Sequence, residues 1–156
     1  MLHCLRSKQI LGIPVDEAWK YFSDPYNLAN ITPPALSFKV TSPQLPEMYP
    51  GLIISYEVRP LLGIPMTWVT EITHVISGHS FVDEQRVGPY RMWHHEHFFR
   101  ECADGTEIED VVHYVIGAFV LDPVIHRYVV GPRVQQIFDY RRKRLEELFP
   151  ARKRNE

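Results

Sequence analysis

Residues 91–117 read RMWHHEHFFRECADGTEIEDVVHYVIG, and this stretch decides the fold. Apolar and polar side chains alternate along both of its halves, which is the period-two pattern of a β-strand with one covered face. The central Ala103-Asp104-Gly105 has the composition of a tight turn. Strands joined by so short a loop pair antiparallel, so the stretch predicts a hairpin of strands 91–102 and 106–117.

The sequence before residue 91 predicts two short helices and five more strands. Pro14 and Pro25 each stand where a short helix can begin, because the first turn of a helix does not need the N–H that proline lacks. The order is one strand, two short helices and six strands of an antiparallel meander. Alternation interrupted by Pro- and Gly-containing turns predicts the other strands at residues 2–10, 36–42, 52–60, 66–76 and 80–87.

A long amphipathic helix is predicted at residues 133–149, where one side is lined by Val134, Ile137, Phe138, Leu145, Leu148 and Phe149. Residues 118–132 are apolar but contain two prolines, which predicts a loop or short helix over a cavity mouth. Because a sheet must bury one face against another element, the long helix covers it. We therefore predict an α+β fold, a seven-stranded curved antiparallel sheet around a long C-terminal helix. It forms a single domain of residues 1–150, followed by a basic tail at 151–156.

Composition excludes several classes of protein. The chain has 156 residues, 45% of them hydrophobic, and a net charge of −2 from 17 basic and 19 acidic side chains. This is not the composition of a disordered chain, and no surplus of cations indicates nucleic-acid binding. No apolar stretch is long enough to span a membrane, and no signal peptide is recognisable. Two cysteines, Cys4 and Cys102, make no disulfide framework, so we expect a cytoplasmic protein.

Positive charge gathers near the C-terminus. The pattern predicts a solvated helix face and a mobile tail that is dispensable for folding. The alternative is a weak contact with an anionic membrane surface or partner. Nothing in the sequence indicates an oligomeric state. The basic residues are Arg141, Arg142, Lys143, Arg144, Arg152, Lys153 and Arg154.

Several short stretches carry a resemblance that runs from about Ser7 to Phe149. They are Val15-Asp16-Glu17-Ala18-Trp19, Asn27-Leu28 with Thr32-Pro33, Gly63-Ile64-Pro65-Met66-Thr67-Trp68, Phe81-Val82-Asp83-Glu84-Gln85, Gly88-Pro89-Tyr90, Trp93-His94-His95-Glu96-His97-Phe98 and Ile137-Phe138-Asp139-Tyr140-Arg141. With the order of elements, they resemble the START-like or helix-grip superfamily of polyketide cyclases, coenzyme-Q-binding proteins, lipid-transfer domains and birch-pollen-allergen-like proteins. Within it, the chain looks like an uncharacterised bacterial ligand-binding subgroup. The resemblance implies a ligand cavity and no defined catalytic set.

Strand alternation indicates which side chains face that cavity. Glu107, Glu109 and His113 look solvated, so the opposite face of their strand, which carries Asp110, is predicted to point inward. The aromatic ends of the row from Trp93 to Phe99 predict the same for that row. The candidate ligand-binding residues are Trp68, Asp83, Gln85, Trp93, His95, His97, Phe99, Asp110 and Tyr114.

Three interpretations of the polar members of this set stay open. They form an internal network in which carboxylates fix histidine tautomers, or they orient a mostly apolar ligand. In the third, His95 and His97 at i and i+2 join Asp110 in a metal or acid–base site. Because no independent ligand spacing supports a metal, no metal or cofactor is assigned. The chain has no P-loop, GxGxxG or GxSxG motif.

The expected function is binding of a small hydrophobic molecule that is lipid-, polyketide- or aromatic-like, without catalysis. Apolar burial supplies the affinity, and His95, His97 and Asp110 orient the ligand. One alternative is a cyclase or dehydratase with a cavity histidine as general base. Another is a stress or interaction module with a vestigial cavity.

Overall fold

The computed structural model describes residues 1–43, 47–60, 63–117 and 119–151. One antiparallel sheet runs in the order β1-β7-β6-β5-β4-β3-β2, with the long C-terminal helix packed against one face. This confirms the predicted fold class. The strands are β1 (His3–Leu11), β2 (Lys39–Val40), β3 (Ile53–Val58), β4 (Met66–Ile76), β5 (Ser80–Val87), β6 (Met92–Cys102) and β7 (Gly105–Val115).

Helical segments lie between β1 and β2 and after β7. Between the strands, α1 (Val15–Phe22) is followed by 3-10 helices at Pro25–Ile31 and Pro34–Leu36. After β7, a 3-10 turn at Phe119–Leu121 leads into α2 (Asp122–Ile125), a π-helical turn (His126–Val130) and α3 (Gly131–Leu148). No helix among the described residues is long and apolar enough to cross a bilayer.

Sheet register brings the inward rows of neighbouring strands side by side. Asp110 on β7 stands between Ser7 on β1 and His97 on β6. Beside it, His95 on β6 stands opposite Asp83 on β5. Since antiparallel partners on one face have Cβ atoms about 4.5–5.5 Å apart, the register alone places these side chains within contact distance.

Two hydrophobic clusters fill the space under the sheet. The larger one lies below α1, where Trp19 meets the rings of Phe81 and Phe99 edge-on at centroid distances of 5.9 and 5.6 Å. The smaller one lies below α3, where Val134 and Phe138 pack against β7. The candidate site lies where these two clusters separate.

The second predicted strand, 36–42, is mostly wrong. Only Lys39–Val40 pair with β3, because Pro34–Leu36 form a 3-10 turn and Ser37 takes a left-handed conformation with φ 46°. A residue with positive φ cannot continue a strand.

The segment predicted as a loop or short helix over the cavity mouth is helical, and it joins α3 without a break. None of its described residues lines the cavity. Several of its apolar side chains point outward instead, with Val120 91% and Tyr128 70% exposed, whereas Val130 packs against the smaller hydrophobic cluster. Pro123 and Pro132 do not break the helix because each occupies one of the first two positions of a helical segment, α2 or α3.

The basic residues of α3 are not one solvated face, contrary to the prediction. Arg142 binds the carbonyl of Lys8 at 2.8 Å and the hydroxyl of Ser7 at 3.0 Å, which fastens α3 to β1. Arg144 pairs with Glu147, and Lys143 is exposed. Arg152, Lys153 and Arg154, with the rest of the predicted tail beyond Ala151, lie outside the described residues.

Glu109 also departs from its prediction as a solvated residue. It lies on the outer face of β7 but is only 8% exposed. Lys8 and Arg100 cover its carboxylate at 3.3 and 2.9 Å. An outward side chain can therefore be buried beneath the long cationic side chains of neighbouring strands.

Candidate functional site

A cavity of about 180 Å³ lies between the sheet and α3. Its walls are mostly apolar and aromatic, and α3 closes one side with Val134, Ile137, Phe138 and Arg141. A hydrophobic cavity with a few polar groups is the usual form of a small-molecule site. The rest of the chain contributes Tyr21, Phe22, Asp24, Pro25, Asn27, Leu28, Ile31, Thr32, Leu36, Phe38, Met48, Ile54, Tyr56, Val58, Pro60, Trp68, Thr70, Ile72, Phe81, Asp83, Tyr90, Trp93, His95 and His97.

Three polar side chains of the wall form a closed ring of two histidines and two aspartates together with Asp110, which lies behind them. Asp110 Oδ1 lies 3.0 Å from His95 Nε2 and 3.0 Å from His97 Nδ1. Asp83 Oδ2 lies 2.8 Å from His97 Nε2 and 3.4 Å from His95 Nδ1. Every imidazole nitrogen of the pair therefore faces a carboxylate oxygen. Asp83 and both histidines line the cavity, whereas Asp110 lies behind them in a smaller pocket against α3.

The ring shifts the pKa values of its members in different directions. Burial alone would raise the pKa of both aspartates, but the histidines outweigh it and hold both carboxyls below their usual range. Burial would lower the pKa of His97, but hydrogen bonds to Asp110 and Asp83 outweigh it, so that pKa is raised. For His95, burial and the charge of His97 prevail and lower the pKa. Within the ring, His97 therefore holds a proton more readily than His95 does.

Arg141 supplies a positive charge beside the ring. It lines the cavity beside the ring and contributes to the lowered pKa of Asp83. Its guanidinium carbon lies 5.0 Å from the centre of the Phe138 ring. Its Nε is buried and has no hydrogen-bond partner among the described residues. A buried N–H without an acceptor costs about 1–3 kcal/mol, so a ligand oxygen that bonds to this group after a small movement of the side chain would remove that cost.

An aromatic cluster forms another part of the cavity wall. The ring of Trp93 lies 5.5 Å from Trp68 and 4.8 Å from Tyr90, centre to centre. Trp68 Nε1 donates a hydrogen bond to Thr70 Oγ1 at 3.1 Å, which fixes the indole plane. The indole rings therefore present rigid apolar surfaces to the cavity.

Of the nine predicted site residues, five line this cavity: Trp68, Asp83, Trp93, His95 and His97. Phe99 is 3% exposed and belongs to the larger hydrophobic cluster instead. Tyr114 is also buried, and its hydroxyl lies 2.8 Å from His126 Nε2, away from the cavity. Asp110 acts on the cavity only through the histidines.

Gln85 was predicted to face the ligand, but its side chain does not line the cavity and bonds to the backbone of Tyr90 instead. Its amide nitrogen donates to the carbonyl of Tyr90 at 2.6 Å, and its amide oxygen accepts from the Tyr90 N–H at 3.2 Å. A Cβ on Gly88 would overlap the amide oxygen of Gln85, so a larger residue there would displace this amide. Gln85 therefore shapes the aromatic cluster by holding Tyr90.

Two functional candidates were missed from the sequence. Arg141 was grouped with the basic C-terminal residues, although it lies three residues after Phe138 and four before Leu145, which are both buried. That spacing puts it on the inner face. Tyr56 on β3 also lines the cavity, where burial and the nearby Asp83 raise the pKa of its hydroxyl. Its alternation with buried Ile54 and Val58 is the signal that could have found it.

Comparison with known proteins bears on the fold. No family model matches the sequence, and a comparison with curated proteins finds no match. Among solved structures, a protein from Chromobacterium violaceum has a TM-score of 0.71 at 15% identity, over 94% of this chain and 96% of that one. Ara h 8.0201 has a TM-score of 0.61 at 13% identity, over 94% of this chain and 99% of its own.

The di-domain ARO/CYC protein BexL is similar to this chain over half of its own length. Its TM-score is 0.71 at 18% identity, over 97% of this chain and 51% of BexL. Likeness at such identities shows the fold and does not carry over an activity. The chain therefore has the helix-grip fold, as its sequence predicted.

Proposed function

We propose that the chain binds a small, largely apolar molecule that carries an oxygen acceptor at one end. The observation that carries this proposal is the cavity, whose walls are mostly aromatic and aliphatic and which has Arg141 beside the His–Asp ring, with a buried guanidinium N–H that has no partner among the described residues. The aromatic cluster contacts the apolar body of the ligand, and Arg141 and the His–Asp ring bind its oxygen.

The size of the cavity supports a compact ligand. A volume of about 180 Å³ is close to that of cavities of roughly 150 Å³ that accept benzene. One or two rings fit such a space better than a long acyl chain does. Among the lipid-, polyketide- and aromatic-like ligands expected from the sequence, this favours an aromatic or short polyketide-like molecule.

The proposal is tested with pairs of one- and two-ring compounds that differ only in a carboxylate or phenolic oxygen. Binding is followed by the fluorescence of Trp68 and Trp93, which line the cavity. Native mass spectrometry of the protein purified from its own host serves as a second measurement. We expect the oxygen-bearing member of a pair to bind more tightly. If no compound changes the fluorescence and the purified protein carries no bound molecule, the result supports a vestigial cavity. If a compound is recovered with a mass different from that of the compound added, the result supports a cyclase or dehydratase.

A variant pair assigns the preference to Arg141. Arg141→Met removes the free N–H, and we expect it to weaken binding of the oxygen-bearing compound about 10- to 100-fold, the value of a charge-assisted hydrogen bond. Lys143→Met is the control, because it removes an exposed charge from the same helix. Equal affinities in both variants would contradict the role given to Arg141.

A further inference from the structure

The His–Asp ring has a geometry that hydrogen bonding alone does not require. His95 Nδ1 and His97 Nε2 both face the same atom, Asp83 Oδ2, at 3.4 and 2.8 Å. One donor atom from each of these three residues lies within 4.8 Å of the other two. Two imidazole nitrogens and a carboxylate oxygen are a common ligand set for zinc and similar divalent ions.

Asp110 completes the pattern from the opposite side. Its Oδ1 lies 3.0 Å from the remaining nitrogen of each ring, His95 Nε2 and His97 Nδ1. In metal sites a carboxylate behind a histidine accepts the N–H that does not face the metal, which fixes the tautomer. Here one buried carboxylate does this for both histidines. Among the described residues, the ring of His94 on the outer face pairs with one carboxylate alone, that of Glu84 at 2.9 Å.

The spacing of the donors suits a small ion. Ligand atoms about 2.0–2.1 Å from a tetrahedral ion are about 3.3 Å from one another. The separation of His95 Nδ1 and Asp83 Oδ2 is already 3.4 Å, and that of His97 Nε2 and Asp83 Oδ2 must open from 2.8 Å. The ion takes the place of the direct contact between His97 Nε2 and Asp83 Oδ2.

We propose that Asp83, His95 and His97 form a binding site for one divalent ion of the zinc class, with the fourth coordination position open to the cavity. Two carboxylates, Arg141 and two neutral imidazoles leave a charge of +1 once a dication is bound. The open position therefore favours an anionic oxygen. That this oxygen belongs to the cavity ligand rests on the proposed function, whereas binding of the ion does not.

The site is tested by titrating chelator-treated protein with Co²⁺ and Zn²⁺ in the absence of any organic ligand. We expect one equivalent of ion, visible absorption bands of tetrahedral Co²⁺, and a raised Tm with Zn²⁺. Asp83→Asn and His97→Gln should abolish the bands. Asp110 is not a ligand of the ion but orients both histidines, so we expect Asp110→Asn to weaken metal binding about 10- to 100-fold.

His94→Gln is the matched control, because it removes a carboxylate-paired histidine from the same strand on the opposite face. It should bind the ion as the unaltered chain does. If the ring variants fail to fold, ¹⁵N spectra of the imidazoles in the unaltered protein decide the matter, since Zn²⁺ should shift His95 and His97 selectively. Octahedral Co²⁺ bands, undisturbed imidazole signals, or equal uptake by Asp83→Asn would overturn the site.

Failure of the metal site and failure of the proposed function are separable. Ligand binding is measured in the presence of a chelator and again with one equivalent of Zn²⁺. If ligand binding is unaffected by the chelator and by Zn²⁺, and the Co²⁺ titration is negative, the metal site is refuted. The proposed ligand binding in the cavity is then unaffected by that result. An oxygen-bearing ligand that binds at least 10-fold more tightly with Zn²⁺ supports the open coordination position.

Discussion

Gln85 holds the turn between β5 and β6 through both atoms of its amide. It pairs with the carbonyl and the N–H of Tyr90 at 2.6 and 3.2 Å, and Tyr90 in turn contacts Trp93 and Trp68. One side chain outside the cavity therefore determines where part of the cavity wall lies. Its effect on binding is indirect, through the position of these rings.

We expect Gln85→Ala to destabilise the fold by about 1–2 kcal/mol, because it leaves two partly buried backbone groups of Tyr90 without partners. Urea unfolding measures the loss, and near-ultraviolet circular dichroism reports the displaced aromatic rings. Gln135→Ala is the control, since it removes a glutamine that bonds only to Asp139 on the exposed side of α3. A similar loss in both variants would show that the turn does not depend on Gln85.

Strand alternation predicted the direction of side chains better than their partners. It placed Asp83, His95, His97 and Asp110 on one face, and the sheet register brings them together. It also placed Gln85 there, because alternation cannot show that an amide will bond to a backbone three or more residues away. Arg141 was missed for the opposite reason. From composition alone, a charged residue on a helix is predicted to be exposed to solvent. Arg141 is instead partly buried, because it lies beside a cavity that exists only in the assembled fold.

At the level of elements, Asp122 joins the start of the C-terminal helix to β1. Its carboxylate lies 2.6 Å from His3 Nε2 and 3.1 Å from the amino group of Met1. His3 stacks on His126 of the π-helical turn with ring centres 3.5 Å apart, and His126 contacts the hydroxyl of Tyr114. This junction was not predicted, because the two prolines of residues 118–132 suggested a break where the helix in fact begins.

The junction should be sensitive to acid. The hydrogen bond from His3 holds the pKa of Asp122 below its usual value, and burial and His3 lower the pKa of His126. The folded state therefore binds fewer protons than the unfolded state as pH falls. The contribution of His126 is present above about pH 6.5 and that of Asp122 above about pH 4, and each is lost as the pH falls through the folded pKa.

We expect Asp122→Asn to lower the Tm at pH 7 and to reduce the further fall of Tm between about pH 5 and pH 3. Thermal unfolding followed across this range gives the difference between the two proteins. Asp16→Asn, an exposed change in α1, should follow the unaltered profile. Parallel profiles for all three proteins would mean that the carboxylate of Asp122 does not contribute to stability.

For the whole molecule, the cavity is a space that a better-packed core would fill. Interiors are normally close-packed, and a void loses the contacts its walls would otherwise make. A ligand restores those contacts, and at 100 times its Kd it stabilises the folded state by about 2.7 kcal/mol. Stability and ligand binding therefore depend on the same volume.

Val134→Ile tests this relation, because Val134 is 1% exposed and lines the cavity. The added methyl group should stabilise the empty protein by up to about 0.8 kcal/mol and weaken ligand binding. Chemical unfolding and the fluorescence titration measure the two effects. Val129→Ile adds the same group at a position that is 46% exposed, and we expect neither effect there. A less stable Val134→Ile protein would show that the side chain cannot extend into the space.

The order of strands in the sheet also determines how the chain must fold. Strands β2 to β7 pair with their neighbours in sequence, but β1 pairs with β7, so that residue 3 stands beside residue 114. Closing so long a loop is entropically costly before its contacts form, and topologies with distant pairings fold slowly. During synthesis on the ribosome, β1 has no partner strand until β7 has emerged. The last strand thus completes the sheet and, in the same step, brings Asp110 to the histidines.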